Sequence, residues 1–235
     1  MCYHHLKAKF GISVGFMVLV VFMLTGGLER GSFDSLYAGA PFYCPTMTEF
    51  FCFCLFTIFT MALSFLSDNY IREYGRFLSI RAGNRRVLTK KVVKYVCFTV
   101  LSLEVIRMTI YISIFLLRGQ GFDWTTDNIG VLVTLSLLGT MGFLLFQEII
   151  EMKSSGSTAL AVVSLLFFVQ LVAGKQGKSF FLLNYMPINF VFSARRIELI
   201  QKGIICLPMM YLILTAIVIL ELVVLHKVIQ NKDIL

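Results

Sequence analysis

Glu104 and Arg107 are the residues of this 235-residue chain best placed to act by chemistry, because they stand one helical turn apart inside a long apolar run. At positions i and i+3 of a helix a carboxylate and a guanidinium share one side and can pair. A charge in the hydrocarbon core of a bilayer costs roughly 2.5 to 3.5 kcal/mol on insertion scales, so such residues turn towards a protein interior or a cavity. Two readings follow. The pair is a polar wall on a path through the membrane or at a subunit interface, or it neutralises itself and packs against Gln147 or Glu148 of a neighbouring span. Glu148, Glu151 and Glu221 lie near the ends of their apolar runs, where reaching out to water is the simpler expectation.

Other reactive groups fall short of a site. Gly177-Lys178-Ser179 has the end of a phosphate-binding loop, but GxxxxGK[ST] requires its first glycine at position 172, where Val172 sits inside an apolar run. His4, His5 and His226 belong to no HExxH pattern, and no serine sits in GxSxG. The six cysteines form no CxxC pair and mostly fall in apolar runs, which reads as core thiols. Neither catalysis nor a bound cofactor or metal is expected of this chain.

The elements that must position Glu104 and Arg107 are membrane helices. Hydrophobic residues make up 58% of the chain and charged residues only 14%, with a mean hydropathy of +0.84. Soluble domains carry about 25% charged residues, so this is a membrane protein. A net charge of +8 would suggest nucleic acid in a soluble chain. In a membrane protein it points instead to cytoplasmic loops and anionic lipid, and nucleic acid is not an expected partner. Apolar runs predict six spans, at about 10–27, 47–66, 96–117, 129–150, 158–173 and 204–225, in a single transmembrane domain over residues 1–235. Residues 174–203 mix cations with apolar pieces too short to cross, which predicts a re-entrant or interfacial segment with its basic residues at headgroup level.

Six spans put both termini on one side. That side receives Lys7, Lys9, Lys153, Lys227, Lys232 and the cations of residues 67–94, and this bias makes it cytoplasmic. Residues 67–94 are the one long charged stretch, with Arg72, Arg76, Arg81, Arg85, Arg86, Lys90, Lys91 and Lys94 against Asp68 and Glu73. Tyr70, Ile71, Tyr74, Phe77 and Leu78 recur at three- and four-residue steps there, which predicts an amphipathic helix along the membrane surface. Gly83 is a suitable helix end, and a second helix from Arg85 leads into the third span. A stretch of this composition could equally be a positive-inside anchor on anionic lipid.

Two spans, the basic loop REYGRFLSIRAGNRRVLTKK, four further spans and an amphipathic segment before the last together resemble the permease subunits of ABC-2-type transporters. In that family the loop after the second span carries a Glu, a Gly two residues on, then basic residues before a Lys opening the third span; Glu73, Gly75, Arg85, Arg86, Lys90 and Lys91 follow this order. The resemblance implies an all-α membrane protein of the cell membrane in which Tyr70, Arg72, Glu73, Tyr74, Gly75, Arg76, Arg81, Arg85 and Arg86 form a coupling helix docked on a separate ATPase subunit. It further implies a homodimer or heterodimer of permeases, with ATP handled by the partner. The expected function is export of an amphipathic substrate, for which a peptide such as a bacteriocin suits the Phe- and Met-rich spans. The alternative class is a non-transporting immunity or signalling subunit that binds a partner.

Overall fold

Backbone N–H and C=O groups inside a bilayer must be satisfied within the protein, and helices do this locally. The computed structural model describes residues 2–26, 28, 30–42, 46–64, 85–124, 128–173 and 181–231, and among them helix dominates. In chain order these are α1 (Cys2–Leu24), β1 (Gly31–Ser32), α2 (Phe33–Tyr37), α3 (Thr46–Leu63), α4 (Arg85–Leu117), β2 (Phe122–Asp123), α5 (Ile129–Lys153) and α6 (Gly156–Ala173). A 3-10 turn (Phe181–Tyr185), α7 (Pro187–Val191), α8 (Ser193–Gln201) and α9 (Leu207–Asn231) follow.

Four helices, α4, α5, α6 and α9, are long and apolar enough to cross a membrane. The apolar parts of α1 and α3, Gly11–Leu24 and Met47–Leu63, are shorter and occupy the positions expected of the first two spans. Large apolar side chains such as Phe16, Leu165, Phe168, Leu212 and Leu220 point outward, a surface suited to lipid rather than water. α4 is one unbroken helix of 33 residues, so the short helix expected to lead into the third span and the span itself are a single rod. α5 is the central helix, packed against α4, α6, α7 and α9. It ends where Ser154 N–H bonds the Ile150 carbonyl at 2.8 Å, and Ser155 Oγ then accepts from Thr158 N–H at 3.3 Å to start α6.

One end of the bundle is capped by the connecting segments. β1 and β2 pair in parallel, Gly31 with Phe122 and Ser32 with Asp123. Ala194 N–H bonds the Ala38 carbonyl, joining this cap to α8. Gly39 has φ +65° and lies directly against the Phe192 ring, so a side chain there would meet both a strained backbone and a filled space. α8 closes on Gly203, also at φ +65°, with Gly203 N–H to Ile200 O at 2.9 Å and Ile204 N–H to Leu199 O at 3.0 Å. That paired arrangement satisfies the helix's last carbonyls and turns the chain into α9.

In the segment before α9, two of the basic residues expected at headgroup level are packed inside the protein. Ile188, Asn189 and Phe190 are buried, and Arg195 and Arg196 are buried with them. Arg195 Nε donates to Ala40 O at 2.6 Å, Nη1 to Asn189 Oδ1 at 3.1 Å and Nη2 to Leu171 O at 3.1 Å. Leu171 lies in the last turn of α6, where unpaired carbonyls favour a cation. The Glu49 carboxylate of α3 is 4.0 Å from Nη2, in ion-pair range. One guanidinium therefore pins three segments of the cap. Arg196 donates to Phe190 O at 3.3 Å. Buried acceptors hold these cations, which is why they do not seek water.

Glu148 and Glu151 also depart from expectation: both are buried instead of snorkelling, because α5 continues to Lys153 and packs against several neighbouring helices. Of the predicted coupling residues, Tyr70, Arg72, Glu73, Tyr74, Gly75, Arg76 and Arg81 lie outside the described residues; Arg85 and Arg86 open α4.

Candidate functional site

Glu104, Arg107 and Tyr111 fall at i, i+3 and i+7 of α4 and so share one face of the helix. Arg107 Nη2 lies 2.6 Å from Glu104 Oε1, the pair read from the sequence. Its third member comes from the cap. Tyr37, the last residue of α2, donates its phenol to Glu104 Oε1 at 2.6 Å, and the Arg107 guanidinium lies 4.8 Å from the centre of the Tyr37 ring. Burial pushes the Tyr37 phenol well above its ordinary range, so it remains a protonated donor. Two short bonds to one carboxylate oxygen, one from a cation and one from a hydroxyl, let the charges persist away from water.

α2 is only one and a half turns long and owes its position to side chains. Ser32 caps it: Ser32 Oγ accepts from Ser35 N–H at 3.1 Å, and Ser35 Oγ accepts from Ser32 N–H at 3.0 Å. Ser35 Oγ also meets Tyr111 OH at 2.5 Å. The capping pair thus fastens α2 to the stripe on α4, and Tyr37, half a turn on, reaches Glu104. Replacing Ser35 with alanine removes the reciprocal cap and the Tyr111 contact. We expect a loss of about 1 kcal/mol, read as a lowered unfolding midpoint in detergent; an unchanged midpoint would show that packing of Phe33 and Tyr37 holds α2 alone.

These polar groups line a cavity of about 430 Å³. Its other walls are apolar, with Val21 and Leu24 of α1, Phe56 and Phe59 of α3, Phe167 of α6 and Phe192. Phe56 and Phe167 stack with ring centres 3.8 Å apart and planes within 6°. Ser136 and Thr140 of α5 add hydroxyls to the lining. Arg107 Nε is buried in the site with no hydrogen-bond partner among the described residues, a donor available to a ligand. An aromatic pocket with one ionic wall can hold an amphipathic molecule by its apolar body while orienting its polar group.

The structure therefore joins Glu104 to Arg107 and places both in a cavity wall. Neither expected neighbour supplies Glu104's partner: Gln147 Nε2 donates to Thr60 O at 2.9 Å, and the carboxylate takes its second contact from Tyr37. Tyr37, Ser35 and Tyr111 were not singled out by the sequence. The spacing Ser32-x-x-Ser35 is the one local signal that could have marked α2, since reciprocal serine caps start helices. No protein-family model matches the chain, and neither curated proteins nor solved structures contain a match to it.

Proposed function

We propose that the chain is the membrane-spanning permease subunit of an ABC transporter of the ABC-2 type, dimerising and drawing energy from a separate ATPase subunit to export an amphipathic substrate. In this reading both termini are cytoplasmic, the basic stretch before α4 is the docking surface, and the cavity holds the substrate. The observation that carries the reading is the continuity of α4. It begins at Arg85, at the edge of the basic stretch, and runs without a break to the cavity wall. At 1.5 Å per residue Glu104 lies about 28 Å from Arg85. A push on the basic end moves Glu104, Arg107 and Tyr111 as one body against α2, whose hold on them is a few side-chain bonds. That is the mechanical link an external ATPase requires.

The test is co-purification with co-expressed ABC ATPase subunits, followed by transport assays in liposomes. Reversing charge at Arg85 and Arg86 together is expected to lower the amount of ATPase recovered several-fold while membrane yield stays at the wild-type level. Wild-type recovery of the ATPase by that double variant would overturn the docking assignment. Robust transport by the purified chain with no ATPase present would overturn the permease reading itself.

A further inference from the structure

We propose that a second cavity, between α5, α6, α7 and α9, is a binding site for a small organic ammonium with an apolar body, and that Glu221 is its counter-ion. The cavity measures about 200 Å³ and is lined by different residues of α5 from those of the first, Gly142, Phe143 and Phe146 among them. Two of its lining residues carry acceptors, Glu221 of α9 and Gln170 of α6. Glu221 Oε2 and Gln170 Oε1 are both buried, and neither has a hydrogen-bond partner among the described residues.

Glu221 sits 14 positions after Leu207, so it lies about 21 Å along α9. The sequence reading sends this carboxylate to water; one of its oxygens, Oε2, is buried. That oxygen lies against α5 at Gly142: a Cβ built there would be 3.5 Å from Glu221 Oε2.

The chemistry of the two free atoms selects the ligand. A carboxylate can only accept hydrogen bonds, and a carboxamide oxygen likewise accepts, so the occupant must donate. Among the described residues no lysine or arginine lines the cavity, so a cationic donor would supply the charge that pairs with Glu221. A primary ammonium meets both demands with three N–H bonds. The rest of the wall, with Phe143, Phe146 and Leu214, calls for an apolar body. An apolar cavity of about 150 Å³ holds benzene, so this one has room for a phenyl ring on a two-carbon arm. The site stands independently of the permease reading, because binding needs neither an ATPase nor transport.

The experiment uses the full chain in nanodiscs of zwitterionic phosphatidylcholine and follows 2-(4-fluorophenyl)ethylamine by fluorine NMR. Saturable binding is expected, displaced by excess 2-phenylethylamine and not by 3-phenylpropionate. Glu221→Gln is expected to weaken binding at least ten-fold, and Gln170→Leu about three-fold, since a charge-assisted hydrogen bond outweighs a neutral one. Absence of saturable binding, displacement by 3-phenylpropionate, or wild-type affinity in Glu221→Gln would each overturn the proposal. Should Glu221→Gln fail to insert, Gln170→Leu decides: it breaks no hydrogen bond among the described residues, and wild-type affinity in it would equally refute the site.

Discussion

An Arg195→Leu variant is expected to unfold its cap and lose about 3 to 5 kcal/mol of stability, the usual result of removing one side of a buried charged network. The side chain is fully buried and its guanidinium serves Ala40 O, Asn189 Oδ1 and Leu171 O at once. Leucine fills much of the volume but leaves three acceptors unpaired and removes the cation beside Glu49. Buried acceptors without donors cost about 1 to 3 kcal/mol each, so lost bonding and not lost packing dominates. Arg195→Lys is expected to recover only part of the loss, because an ammonium cannot span three acceptors set in a planar fork. The chain's single tryptophan provides the readout. Trp124 stands at the cap, with Phe122 4.7 Å and Phe33 6.0 Å away between ring centres, so its fluorescence follows the capped end during thermal unfolding. A wild-type midpoint in Arg195→Leu would show that the cap is held by apolar packing alone.

Glu104→Ala is the second change of this size, also expected to cost about 3 kcal/mol or more. It strands the Arg107 guanidinium in an apolar wall and deprives Tyr37 of its acceptor. Combining Glu104→Leu with Arg107→Leu is expected to restore most of that stability, since replacing a buried ion pair by apolar side chains of similar volume is often neutral or favourable. This double variant separates structure from function. If the ionic wall orients a substrate, the double variant inserts and folds but loses substrate-stimulated ATP hydrolysis by the partner and transport in liposomes. If transport persists at the wild-type rate, the pair serves only packing and the assignment of this wall fails. The four stabilities of the cycle also give the coupling energy of the pair directly.

Much of the architecture was legible in the chain because it rests on local properties. Run length and backbone self-satisfaction mark a membrane helix wherever it occurs, and the expected spans at 129–150 and 158–173 lie within helices Ile129–Lys153 and Gly156–Ala173. The ion pair of Glu104 and Arg107 was equally legible, since a three-residue step on a helix fixes their proximity. The cap was not. Arg195 and Arg196 read as headgroup cations because composition alone sends charge to water, whereas here the distant Ala40 and Leu171 carbonyls hold Arg195 and the neighbouring Phe190 carbonyl holds Arg196.

The sequence by itself thus determined the helical, membrane-type class of the protein, its long apolar helices and one ionic pair. Only the tertiary structure decided which polar groups stay buried. Tyr37 meets Glu104 across 67 positions and Arg195 meets Ala40 across 155, and no local pattern encodes such meetings. Helix formation depends on a residue's immediate neighbours, but the cost of burying a charge depends on what another helix or loop presents to it, and that is known only once the chain has packed.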